Sequence, residues 1–211
     1  MSNIDNLVEQ LAQDAGVVKP APHPFVLGLQ WMVAAAIYLA VSLAFSGLRP
    51  DFMERIVNPW FIAELVALLG VFIVTSLSAA LLAFPDLHQK PRLVFAPVLP
   101  FVLFLGILFF SWSADSPPSP LPVHGIECTL SIALMTLLPA LGAFYSLRKY
   151  ASTHYRMAGS IALLSAFSVG ALWLRLYEPT DSILHVIEWH YLPMLAVGII
   201  GLWLGKVVLK W

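Results

Sequence analysis

The chain has 211 residues, is 60% hydrophobic and only 11% charged, and carries a formal net charge of −1. Soluble domains carry about 25% charged residues, so this apolar excess cannot be buried in one globular core and lipid has to solvate much of it. The near-zero charge argues against direct contact with nucleic acid, and the single cysteine, Cys128, excludes an intramolecular disulfide and a multi-cysteine zinc site.

The first 24 residues are polar and stand apart. Ile4, Leu7, Val8, Leu11 and Ala15 fall on one face of a short helix, with Asn6, Glu9, Gln10 and Gln13 opposite. Ser2 or Asn3 can cap its start and Gly16 can end it. The segment Lys19-Pro-Ala-Pro-His-Pro24 then reads as a stiff extended spacer. A helix this short is marginal alone in water, so its apolar stripe has to dock on something. Membrane-surface helices usually present a basic polar face; this one is acidic, which favours a protein groove. Asp5, Glu9 and Asp14 are not the opening of a signal peptide, so the first apolar run is expected to remain as an anchor.

Six apolar runs follow, near 25–46, 59–84, 93–112, 124–147, 155–175 and 185–208. Each is about 20 residues or more, enough to cross the hydrocarbon layer as a helix, and none alternates as a strand would. The expected fold is an all-α polytopic bundle of six transmembrane helices over 25–211, built as three helical hairpins because the links are short. Lys19, Lys90, Arg92, Arg148, Lys149, Arg156, Lys206 and Lys210 fall on one side of that topology, and Arg49, Arg55 and Arg175 on the other. The cation-rich side, with both termini, is therefore expected in the cytoplasm.

Glu64, Glu127 and Glu188 each lie near the entry of alternate runs, towards the cation-poor face. Inside a bilayer such groups need partners or a purpose. His124, Glu127 and Cys128 share a helical face, as do His185 and Glu188, whereas His190 falls on the other side of an ideal sixth helix. Imidazole, carboxylate and thiolate are metal ligands, so His124, Glu127, Cys128, His185 and Glu188 form a candidate metal layer, and these five with His190 a candidate sensing layer. The same histidines and glutamates can instead pair with each other, with Arg175 or with headgroups. The spacing is not that of a zinc protease, and no resident cofactor is expected; a metal ion enters only as a signal.

Small residues at four-residue steps mark close helix contacts: Ala162, Ala166 and Gly170; Gly201 and Gly205; Thr75, Ala79 and Ala83. Pro139 and Pro193, with Pro97 and Pro100, are expected within helices and can kink them.

Several stretches together resemble the NrsF-type family, the negative regulators of sigma F. They are Leu7-Val-Glu-Gln-Leu-Ala-Gln-Asp14, Gly47-Leu-Arg-Pro-Asp51, Phe61-Ile-Ala-Glu-Leu65, His124-Gly-Ile-Glu-Cys128, Glu178-Pro-Thr-Asp-Ser182 running into Glu188-Trp-His190, and Leu209-Lys-Trp211. The resemblance covers nearly the whole chain. It implies a bacterial inner-membrane anti-sigma factor without enzymatic activity. Such a protein holds an extracytoplasmic-function (ECF) sigma factor through its N-terminal segment and releases it on envelope, metal or oxidative stress. Ile4, Leu7, Val8, Leu11 and Ala15 would then bind the sigma factor. Some members carry a second cysteine before the last helix; here Leu174-Arg-Leu-Tyr177-Glu-Pro179 has none, which excludes a two-cysteine switch within one chain. The competing reading is a small ion or metal transporter that uses the Glu/His layer.

Overall fold

The computed structural model describes residues 3–14, 21–85, 95–114, 125–150 and 152–210. Helix α1 covers Asn3–Asp14 with Asp5 in its first turn, where a carboxylate opposes the positive end of the helix dipole. Its Ile4, Leu7, Val8 and Leu11 are all exposed; Ala15, and the spacer through Pro20, lie outside the described residues.

The long helices begin and end where local chemistry says they should. Helix α2 spans Pro24–Ser46: the proline occupies the first turn, where a missing N–H costs nothing, and the His23 ring accepts from the Phe25 N–H at 3.3 Å. It stops at Gly47, whose φ of 85° suits glycine and whose N–H donates to the Leu43 carbonyl. A single turn, α3 (Phe52–Arg55), leads to α4 (Pro59–Leu82), capped by Asn58, which accepts from the Trp60 N–H at 2.9 Å. Helix α5 covers Val98–Ala114, α6 Ile126–Leu147 and α7 Tyr155–Tyr177. The last run opens with α8 (Ile183–His185), widens into a π-helical segment over Val186–Tyr191, and continues as α9 (Pro193–Val208).

Five of these helical runs are long and apolar enough to cross a membrane: Pro24–Ser46, Pro59–Leu82, Ile126–Leu147, Tyr155–Tyr177 and Ile183–Val208. The sixth expected span is the 17-residue α5, about 26 Å at 1.5 Å per residue, short of a hydrocarbon layer of about 30 Å. Pro97 and Pro100 account for its late start. They sit just before and within the first turn, where proline is tolerated, and not in a helix interior where it would kink. Helix α5 leans on α4 and α8 more than on α6, so the second of the three expected hairpins is not a closely packed pair.

Helix α7 is the centre of the bundle. Burial reaches 72% of its apolar window, against 11% for α2 and 22% for α6. It packs against α4, α6 and α9, and to a smaller extent α2. Its small residues make this possible. A Cβ added at Gly159 would lie 2.5 Å from the Gly205 Cα, and one at Gly170 would lie 2.6 Å from the Ile132 carbonyl oxygen. Without a hydrophobic force between helices in lipid, such backbone approaches provide the dispersion contact that holds them together. Polar side chains add hydrogen bonds inside the apolar layer: Ser76 to Ser165 at 2.7 Å, Ser160 to the Gly198 carbonyl at 2.8 Å, and Tyr38 to the Met135 carbonyl at 3.2 Å.

Candidate functional site: a charge clamp and a buried Cys-His-His group

Glu64 is buried in α4 and does not face its two sequence counterparts. Arg175, in the last turn of α7, grips it with Nε donating to Oε1 at 2.9 Å and Nη2 to Oε2 at 3.1 Å, while the Tyr191 hydroxyl donates to Oε1. Arg175 Nη1 reaches on to Asp181 Oδ1 at 3.1 Å and the Thr180 carbonyl at 3.2 Å. Arg49, in the connection after α2, donates to Asp51 at 2.7 and 2.8 Å and to Asp181 at 3.1 and 2.7 Å. Arg55 completes the group on Asp181 at 2.8 Å. Three arginines face three carboxylates, so the cluster is neutral. The Phe61 ring lies beneath both Arg49 and Arg175, with guanidinium carbons 5.3 and 4.8 Å from its centroid. Bidentate geometry and full pairing are the conditions under which buried charges become tolerable. Outside the apolar spans, the hydrogen bonds from Arg49 hold the Asp51 carboxyl well below the usual carboxylate range.

The three arginines of the cation-poor face are therefore all committed to one clamp. It ties the α2–α4 connection, α4, the end of α7, the Pro179–Asp181 segment and the π-helical segment together.

The π-helical segment has an identifiable cause. Pro193 has no N–H to offer the Trp189 carbonyl four residues back. Thr129 of α6 supplies the missing donor, its hydroxyl bonding that carbonyl at 2.6 Å, and the Leu192 N–H reaches five residues back to Ile187 at 2.8 Å. The Trp189 indole lies against Gly125, where a Cβ would stand 2.1 Å from the ring. Freed carbonyls re-satisfied by a neighbouring helix are what permits proline in a membrane span, and single π turns gather at functional sites.

The wider turn changes which side chains meet. In an ideal α-helix, residues five apart diverge by about 140°, which is why His190 was expected on the far side from His185. In the structure the two rings are edge to face, with centroids 5.3 Å apart. His185 Nε2 is 3.5 Å from Cys128 Sγ of α6. Cys128, His185 and His190 bring one ligand atom each to within 4.8 Å of one another. Both histidines are buried, and His185 Nδ1, His190 Nδ1 and His190 Nε2 have no hydrogen-bond partner among the described residues. Each buried polar group left in that state costs about 1–3 kcal/mol. Among the described residues, the protein carries this cost at one spot.

Of the residues expected to sense or to ligate metal, Cys128, His185 and His190 converge. Glu127 and Glu188 are exposed, pointing out of the bundle and not into this group; His124 lies outside the described residues. The sequence signal for His190 was available in Pro193, three residues on, but reading it requires knowing that Thr129 would take the orphaned carbonyl. The three carboxylates share a depth in the sequence pattern but no common site, because Glu64 is consumed by Arg175. That removes the shared acidic layer on which a transport reading depends.

Fold and site together define a polytopic, all-helical membrane protein with a neutral charge clamp at one end of the bundle and a buried Cys-His-His group beside it. The family described as "Negative regulator of sigma F" matches over residues 11–211. The anti-sigma-F factor NrsF of Caulobacter vibrioides (strain NA1000 / CB15N) is 30% identical over 217 residues, covering 98% of this chain and 99% of that protein. This chain belongs to the negative regulator of sigma F family. No solved structure matches it.

Proposed function

We propose that the protein is an inner-membrane anti-sigma factor that sequesters an ECF-type sigma factor on its N-terminal helix and releases it when an envelope, metal or oxidative stress is sensed. Residues 1–24 form the cytoplasmic sigma-binding arm and 25–211 the membrane domain, with both termini cytoplasmic. The observation that carries this reading is α1 itself. Four apolar side chains on one face, Ile4, Leu7, Val8 and Leu11, are 68%, 55%, 60% and 63% exposed, a stripe of the kind that docks in a groove. Burying a leucine contributes roughly 1.5–3 kcal/mol, so Leu7 and Leu11 together supply a substantial share of a typical regulatory affinity. Family membership supports the sigma partner, and the eight cations on one side of the expected topology support the orientation.

In this mechanism the signal acts on the clamp and the Cys-His-His group at the opposite end of the bundle. Helix α7, which contacts α4, α6 and α9, carries the change to the arm side. A coupling free energy of about 1–3 kcal/mol shifts sigma affinity roughly 5–150-fold. The test is co-purification of the full-length protein in detergent with the candidate ECF sigma factor, beside Leu7→Asp/Leu11→Asp. Retention by the parent and loss by the variant is the expected result. Equal retention by both overturns the assignment of the arm, and retention by neither overturns this sigma factor as partner.

A further inference from the structure

We propose that Cys128, His185 and His190 form a three-ligand site for a soft monovalent cation of the copper(I) or silver(I) kind. The ligand atoms lie within 4.8 Å of one another, and the Cys128 Sγ to His185 Nε2 separation is 3.5 Å. Three-coordinate geometry with metal–sulfur and metal–nitrogen bonds near the zinc values of about 2.3 and 2.0–2.1 Å requires ligand separations of about 3.5–3.8 Å, and the larger silver(I) ion somewhat more. The group is therefore preformed to within about 1 Å of closure around an ion.

Two observations choose the class of ion. A thiolate with two imidazoles is a soft donor set, suited to copper(I) more than to magnesium, calcium or manganese. The second is charge. His185 and His190 are buried and Cys128 half-buried against the apolar core, where an uncompensated charge is expensive. One thiolate and one monovalent cation sum to zero, whereas a divalent ion would leave a net positive charge beside Arg175. No carboxylate joins the ligand group among the described residues, and Glu127 and Glu188, the acidic residues nearest to the ligands in sequence, are exposed. Binding replaces the thiol S–H bond by a sulfur–metal bond and releases one proton, with no change of oxidation state. The ion also gives one nitrogen of His190 the partner it lacks.

The ligands come from α6 (Cys128), α8 (His185) and the π-helical segment (His190), so an ion pins α6 to the opening of the last run beside Tyr191, which holds Glu64 in the clamp. A role for the ion as the inducing signal rests on the anti-sigma reading; the binding site does not. The test is calorimetric titration of the full-length protein in detergent with silver(I), in nitrate buffers of two different ionisation enthalpies. The expected result is one ion bound and one proton released per chain. His185→Gln and His190→Gln should weaken binding at least tenfold, while Glu127→Gln and Glu188→Gln bind as the parent does. X-ray absorption of the copper(I)-loaded parent reads the same site without any variant, and should find one sulfur and two nitrogens. One sulfur without nitrogen, His190→Gln binding as the parent does, or zinc(II) displacing silver(I) at equal concentration would each overturn the assignment. Failure of the sigma co-purification with silver(I) binding intact would sink the anti-sigma reading and leave the site standing.

Discussion

Replacing Arg175 by leucine should be among the most damaging single changes in the membrane domain. Glu64 is 3% exposed and takes two hydrogen bonds from this guanidinium. Without it, the carboxylate keeps only the Tyr191 hydroxyl in a low-dielectric interior. Removing one partner of a buried pair costs about 3–5 kcal/mol, which lowers the melting temperature by roughly 6–20 °C for a chain of this size. The double variant Glu64→Leu/Arg175→Leu removes both charges. Asp181 then retains Arg49 and Arg55, and the main residual loss is the Tyr191 hydroxyl, about 1–3 kcal/mol. The double variant should therefore be more stable than Arg175→Leu alone by about 2 kcal/mol. Thermal unfolding in detergent, followed by tryptophan fluorescence, measures all four members of the cycle. If Arg175→Leu melts within a degree of the parent, or the double variant is less stable than the single, the clamp does not hold the bundle as argued.

Other perturbations bear on separate links. Thr129→Val leaves the Trp189 carbonyl without its donor and should cost about 1–3 kcal/mol, read in the same melting assay. Pro193→Ala restores an N–H for that carbonyl, so the segment should return to α-helical register and carry His190 away from His185; silver(I) affinity should fall with little loss of melting temperature. Gly159→Val drives a side chain into the backbone of α9, with the Gly205 Cα 2.5 Å from the new Cβ, and should destabilise by about 1–3 kcal/mol or more, seen as a lower melting temperature. The Asp51 carboxyl is depressed by Arg49, so its contribution is complete above the unfolded value of about 3.9 and is lost as the pH falls below it. Between pH 5 and pH 3 the parent should therefore lose melting temperature faster than Asp51→Asn, and parallel curves would show that Asp51 adds no linked stability.

The spans were legible because continuous apolar runs of this length admit few alternatives in lipid, and their ends agree with the structure to within a few residues at Pro24, Pro59, Leu147 and Tyr177. The start of α5 was missed because Pro97 and Pro100 were read as interior prolines, when a first turn accommodates them freely. The Glu64–Arg175 pair was foreseeable only as one partnership among several: Glu64 and Arg175 are 111 positions apart, and nothing local fixes which helices adjoin. His190 was misplaced for a more instructive reason. A periodicity argument assumes 3.6 residues per turn, and Pro193 together with Thr129 breaks that assumption exactly where the chemistry is concentrated. The carboxylates Glu127 and Glu188 looked like ligands by position along the chain, but their side chains point out of the bundle.

The flanks of α7 have a mechanical consequence. Where it meets α9 the contact is Gly159 against Gly201 and Gly205, and where it meets α6 it is Gly170 against the backbone at Ile132. Interlocked leucines would hold two helices farther apart; at these glycines the backbones come close, while Leu163, Phe167 and Leu172 of α7 pack in the core beside them. What fixes the rod in position is shared between the bonds of Ser165 to Ser76 and of Ser160 to the Gly198 carbonyl along its shaft and the grip of Arg175 on Glu64 and Asp181 at its end. A protein organised this way resembles a bolt in a latch: the shaft runs in close tracks, and the catch at its head adds to what holds it.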